Sequence, residues 1–94
     1  MQFEWDKKKN ELNIIKHGIS FFDAEIIFGS PMFIKLIRRK DIEEHRWIGL
    51  GLLVEIVVVV IFTKREQKIR IISIRKASKK ERVTYYEQSL YRSN

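Results

Sequence analysis

Apolar positions recur with two different spacings along this 94-residue chain, and the change of spacing predicts its elements. Leu52 to Phe62 is the strongest signal. Its β-branched run, Val57 to Ile61, reads as a central strand buried on both faces. Lys68 to Arg75 predicts the next strand and Thr63 to Gln67 the turn between, so the two should pair as an antiparallel hairpin. Upstream, Met32 to Ile37 predicts a strand. Glu44 to Ile48 leads another, broken at Gly49 and Gly51, and Arg38 to Glu44 is a charged loop of balanced sign. Phe3 to Trp5 predicts a short strand or an anchoring arm.

The helical spacing appears at both ends. Asp6 is an N-cap for a helix over Lys7 to His17, with Leu12, Ile15 and Ile14 as its buried side and Gly18 as the C′ residue. Lys7, Lys8 and Lys9 stand in the first turn, where the helix dipole prefers acids. Ser20 opens a second helix, with Asp23 in the capping-box place. Phe21, Ala24, Ile27 and Phe28 form its core side, and Gly29-Ser30-Pro31 ends it. Ser78 and Glu81 form an S-x-x-E capping box for a last helix to about Leu90, with Val83, Tyr86 and Leu90 on one stripe. The order is two helices, three or four antiparallel strands and a C-terminal helix, an α+β layer structure.

Composition narrows this to one domain, residues 1–94. Apolar residues make up 45% of the chain, with one Pro, enough for a single modest core. There is no cysteine, which removes disulfides and thiolate chemistry. Leu50 to Phe62, the longest apolar stretch, is too short for a membrane helix, which needs about 20 residues. The N-terminus has no apolar segment of a secretory signal, so a soluble cytoplasmic protein with no membrane partner is expected. His17 and His45 are the only histidines, and no carboxylates cluster near both, so neither a metal site nor a cofactor is expected. Nucleophile-elbow, P-loop and dinucleotide fingerprints are lacking.

Charge changes the picture more. The formal net charge is +7, and the stretch Lys64 to Arg82 alone holds nine bases and two acids, a net of +7. The excess therefore sits in about a fifth of the chain, which points to a polyanionic partner. Arg75 and Lys76 run into the helix N-terminus at Ser78, with Lys79 and Lys80 in the first turn, and helix N-termini attract phosphate. Strict alternation puts Arg70 and Arg75 on opposite faces of their strand unless a bulge intervenes. Two other readings stay open: a solvated basic patch, and a docking surface for an acidic protein.

The residues also carry a resemblance. Trp5-Asp6, Lys9, Asn13 and Lys16-His17-Gly18-Ile19-Ser20-Phe21 form one block, continued by Ala24, Phe28 and Pro31. Glu44-x-Arg46 with Ile48-Gly49 forms a second. Thr63-x-Arg65, Ile69-Arg70-Ile71-Ile72-Ser73-x-Arg75-x-Ala77 and Glu81-Arg82-x-x-Tyr85 complete it. Over about residues 3 to 86 the chain resembles the BrnT toxins of bacterial type II toxin–antitoxin modules. It departs at Ile74, where that family usually has Ala, and at Gly29-Ser30, which replaces a more acidic pair.

The resemblance implies a RelE-like fold and a ribonuclease that blocks translation. It implies neutralisation by a BrnA-like antitoxin whose ribbon-helix-helix part binds operator DNA, so that the complex represses its own operon. Cleavage without a metal needs a base for the 2′-OH, an acid for the leaving 5′-oxygen, and positive charge on the phosphorane. The family's basic positions map to Arg65, Arg70 and Arg75, which would supply that charge. His17 is the proton-transfer candidate, with Lys16 beside it. Lys16, Lys76, Lys79, Arg82 and Tyr85 are the candidate RNA contacts. The alternative is a non-catalytic RNA- or protein-binding module acting as a co-repressor subunit.

Overall fold

A computed structural model describes residues 1–37 and 44–92. The charged loop expected over Arg38 to Glu44 lies, apart from Glu44, outside the described residues. The chain runs β1 (Gln2–Trp5), α1 (Lys7–His17), a 3₁₀ turn (Phe21–Asp23), α2 (Ala24–Phe28), β2 (Phe33–Ile37), β3 (Arg46–Leu53), β4 (Ile56–Arg65), β5 (Lys68–Lys76) and α3 (Lys79–Arg92). The five strands form one sheet in the order β1-β5-β4-β3-β2. The α+β class and the helix order are as expected. The sheet is larger than three or four antiparallel strands, because Gln2–Trp5 joins it as a fifth strand, parallel to β5.

β4 is the middle strand, and this explains its composition. Val58, Val60 and Phe62 enter a core with Phe21, Ala24 and Ile27 on one face. Val57 and Val59 enter a second core with Leu50, Ala77 and Tyr85 of the α3 side. A strand covered on both faces carries no polar alternation. It begins at Ile56, later than expected, because Val54 and Glu55 form the two-residue loop of the β3–β4 hairpin. Val54 takes the positive φ of 60° that a tight hairpin loop needs.

β3 runs through both glycines that were expected to break it. A Cβ at Gly49 would lie 2.8 Å from Met32 Cε, and one at Gly51 would lie 3.0 Å from Ile27 Cγ2. The glycines make room for α2 and the segment after it to press on the sheet.

Two apolar stripes differ from expectation. On α1, Leu12 is 65% and Ile15 82% exposed, and Ile14 is exposed too. The buried positions are Asn10 and Asn13. The Asn13 amide donates to the Ile19 and Ile74 carbonyls at 2.9 and 2.8 Å and accepts from the Ile74 N–H at 3.2 Å. Asn10 accepts from the Phe21 N–H. The helix therefore packs by hydrogen bonds onto the edge of β5 that β1 leaves open. On α3, Val83 and Tyr86 are about half exposed, and Tyr85 is buried instead, its hydroxyl donating to the Pro31 carbonyl at 2.8 Å. The Leu90 side chain lies outside the described residues.

Three caps hold as read. Asp6 Oδ1 accepts from the Lys8 and Lys9 N–H groups. Gly18 closes α1 with φ of 71°. Ser78 and Glu81 exchange both capping-box bonds. No described helix is long and apolar enough to cross a membrane.

Candidate functional site

The β4–β5 hairpin contains the bulge that would bring Arg70 and Arg75 to one face. Ile61 pairs with Ser73 and Phe62 with Ile71, so Ile72 is an extra residue. Ile69, Ile71 and Ile74 all enter the first core. Arg70, opposite Thr63, and Arg75, opposite Val59, therefore share the other face, the one α3 partly covers.

Cross-strand pairing builds a row on that face from four strands. Glu4 pairs with Arg70, Arg70 with Thr63, and Thr63 with Arg46. Beyond the cover of α3 this row opens into a concave cradle of about 150 Å³, lined by Lys9, Glu44, Arg46, Thr63, Arg65, Arg70 and Ile72. Four bases and one carboxylate line it. Arg65 Nε lies 3.0 and 3.1 Å from the two Glu44 carboxylate oxygens, and an Nη lies 3.0 Å from Oε2. The Arg65 guanidinium, helped by the nearby Thr63 hydroxyl, holds the Glu44 carboxylate below its ordinary range. Arg70 keeps a loose ion pair with Glu4 at 3.8 Å. The Thr63 hydroxyl oxygen is buried and reaches no partner at full hydrogen-bonding geometry among the described residues.

Of the residues read from sequence, the structure brings Arg65 and Arg70 into the cradle. Arg75 sits four residues further along the ladder, about 13 Å away. Its guanidinium grips Glu81 bidentately at 2.8 and 2.9 Å. The Ser78 N–H also goes to Glu81, so the strand–helix junction that looked like an anion site is occupied by the chain's own carboxylate. Arg82 donates to the Ala77 carbonyl, Tyr85 is buried, and Lys76 and Lys79 are exposed near that junction. Lys16 and His17 close α1 two turns beyond Lys9, and neither lines the cradle. Sequence reasoning missed Lys9, Glu44 and Arg46 as site residues. The signal was present in Glu44-x-Arg46, a two-residue spacing that suits one face of an extended segment. Among the described residues no three of His, Cys, Asp and Glu gather at metal-ligand spacing.

A concave, polybasic site with one ionised carboxylate and a buried hydroxyl beside it is suited to a phosphodiester: the guanidinium groups meet phosphate oxygens in pairs and the carboxylate accepts a proton. No curated protein matches the chain. The family model described as the ribonuclease toxin, BrnT, of type II toxin–antitoxin systems matches residues 5–81, from the β1 end through the capping box of α3, and the chain belongs to that family.

Proposed function

We propose that this chain is the toxin of a type II toxin–antitoxin pair, an endoribonuclease that cleaves RNA in the cradle without a metal ion and so inhibits translation. A BrnA-like ribbon-helix-helix antitoxin would neutralise it and would connect it to operator DNA, and both would work in the cytoplasm. One observation carries the site assignment: Arg46, Arg65, Arg70 and Lys9, from four separate elements, converge around the Glu44 carboxylate and the buried Thr63 hydroxyl beside it.

In this reading Arg46 and Arg70 neutralise the phosphorane. Arg65 is shared between Glu44 and the phosphate. While paired with Arg65, Glu44 stays ionised but is a weak base. Phosphate entering the cradle draws Arg65 off, Glu44 gains basicity, and it takes the 2′-OH proton as that oxygen attacks phosphorus. The bond to the 5′-oxygen breaks, and Lys9, at the rim, supplies its proton. The products are a 2′,3′-cyclic phosphate and a free 5′-hydroxyl. Arg75 becomes a structural clamp on α3, and His17 has no part in proton transfer.

The test is cleavage of a defined single-stranded RNA with EDTA present. Arg70→Ala should lose about 10²–10³ in kcat, with a much smaller change in RNA affinity, as expected of a charge that acts in the transition state. Glu44→Gln should lose cleavage and keep binding, while His17→Ala cuts like the parent. RNA that is bound by the parent but never cut would favour the non-catalytic binding module. Cleavage abolished by EDTA would remove the metal-free mechanism.

A further inference from the structure

The sheet face that carries the cradle continues past it. Along β3, Arg46, Ile48 and Leu50 share that face, as their partners Thr63, Ile61 and Val59 do on β4. Arg46 lines the cradle. Ile48 and Leu50, with Phe33 and Lys35 of β2, floor a second cleft of about 290 Å³, whose far wall is α3 through Lys80, Glu81 and Thr84. Ile48 stands two strand residues from Arg46, about 7 Å. That is the length of one nucleotide in an extended single strand. An RNA with a phosphate among Arg46, Arg65 and Arg70 would hold its neighbouring nucleoside over this cleft.

The lining has matching chemistry. The floor is apolar and includes one aromatic ring, Phe33. The Glu81 carboxylate is already taken by Arg75 and the Ser78 N–H. The polar groups left at the rim are the Lys35 and Lys80 ammonium groups and the Thr84 hydroxyl. That hydroxyl donates to the Lys80 carbonyl at 3.2 Å and keeps its lone pairs for an incoming N–H. An apolar slot with a π face and a few edge groups holds an unstacked base, and the two cations favour an occupant rich in acceptors.

We infer that this cleft is a nucleobase subsite for the nucleotide next to the phosphate in the cradle, preferring a base with carbonyl acceptors on its edge. The inference rests on the ribonuclease reading, but its test does not require cleavage. The probes are 2′-deoxy hexanucleotides, which carry the phosphates and lack the attacking hydroxyl. Deoxyuridine, deoxyguanosine, deoxyadenosine and deoxycytidine oligomers are compared with an abasic oligomer of the same length. The base-bearing oligomers, deoxyuridine and deoxyguanosine foremost, should bind about tenfold or more tighter than the abasic one. Phe33→Ala and the milder Phe33→Leu, each checked by thermal melting, should shrink that ratio towards one. Lys80→Ala should flatten the ranking among bases, and Arg70→Ala should weaken all oligomers by a similar factor. Equal affinity for abasic and base-bearing oligomers, or a ratio unchanged in both Phe33 variants, would overturn the subsite and leave the cleft to a protein segment. Base-selective binding by a protein that cuts no RNA would sink the ribonuclease reading and keep the subsite.

Discussion

Asn13 shows how a single polar residue decides the orientation of a helix. Its amide satisfies the Ile74 N–H and the Ile74 and Ile19 carbonyls, all inside the fold. Asn13→Ala would leave those groups buried without partners, at a cost of about 2–4 kcal/mol in urea unfolding. Leu12→Ser on the outward side should stay within about 0.5 kcal/mol, and an Asn13→Ala no worse than that would show the bridge contributes nothing. The apolar pattern of α1 could not reveal this. Periodicity counts apolar residues, whereas α1 docks on an open strand edge whose unmet need is hydrogen bonds. The cradle was half legible for a related reason. Arg65 and Arg70 lie in the one stretch where charge accumulates, so charge density found them. Lys9, Glu44 and Arg46 come from segments of balanced charge and reach the site only through tertiary structure: Lys9 by the docking of α1 on β5, Arg46 by its pairing with Thr63, and Glu44 by its ion pair with Arg65.

Among elements, the link between β5 and α3 is the most tightly specified. Arg75 holds Glu81 in two parallel hydrogen bonds, Ser78 shares the same carboxylate, and the guanidinium draws the Glu81 pKa from its ordinary 4.5 to about 2. A depressed acid gives stability that is fully present above the unfolded value and is lost as pH falls through the folded one. Stability should therefore drop between about pH 4.5 and pH 2. Because the Arg75 side chain is 40% exposed, solvent screening limits the loss to about 1 kcal/mol. Urea midpoints measured across that window check this, and Arg75→Ala should flatten the slope. The capping box was readable because it is local: two residues three apart on one backbone turn. The bidentate grip needs the face of Arg75, and a bulge no local pattern announced sets that face.

For the whole molecule, the net charge of +7 matters less than where the fold gathers it. If Lys9, Arg46, Arg65 and Arg70 together neutralise the phosphate held in the cradle and two or three of its neighbours along the strand, log affinity for single-stranded RNA should fall with log salt at a slope of about −2 to −3. Arg70→Ala should make that slope shallower by about 0.7. A slope near −5 would mean that the exposed lysines around α3 bind RNA as well. The fold class, the central strand and the order of helices were legible because burial on both faces and capping leave marks in sequence. The N-terminal strand was legible only as a possibility, since four residues in parallel pairing have no turn to signal their partner. The bulge carries one more consequence. Strand positions on either side of Ile72 already alternate in step: Ile71 and Ile74 inward, Arg70 and Ser73 outward. Loss of Ile72 alone would let the two ladders join while every other side chain kept its face. A one-residue change of length here would take the Ile72 side chain out of the cradle lining and leave Arg70 and Arg75 on their common face.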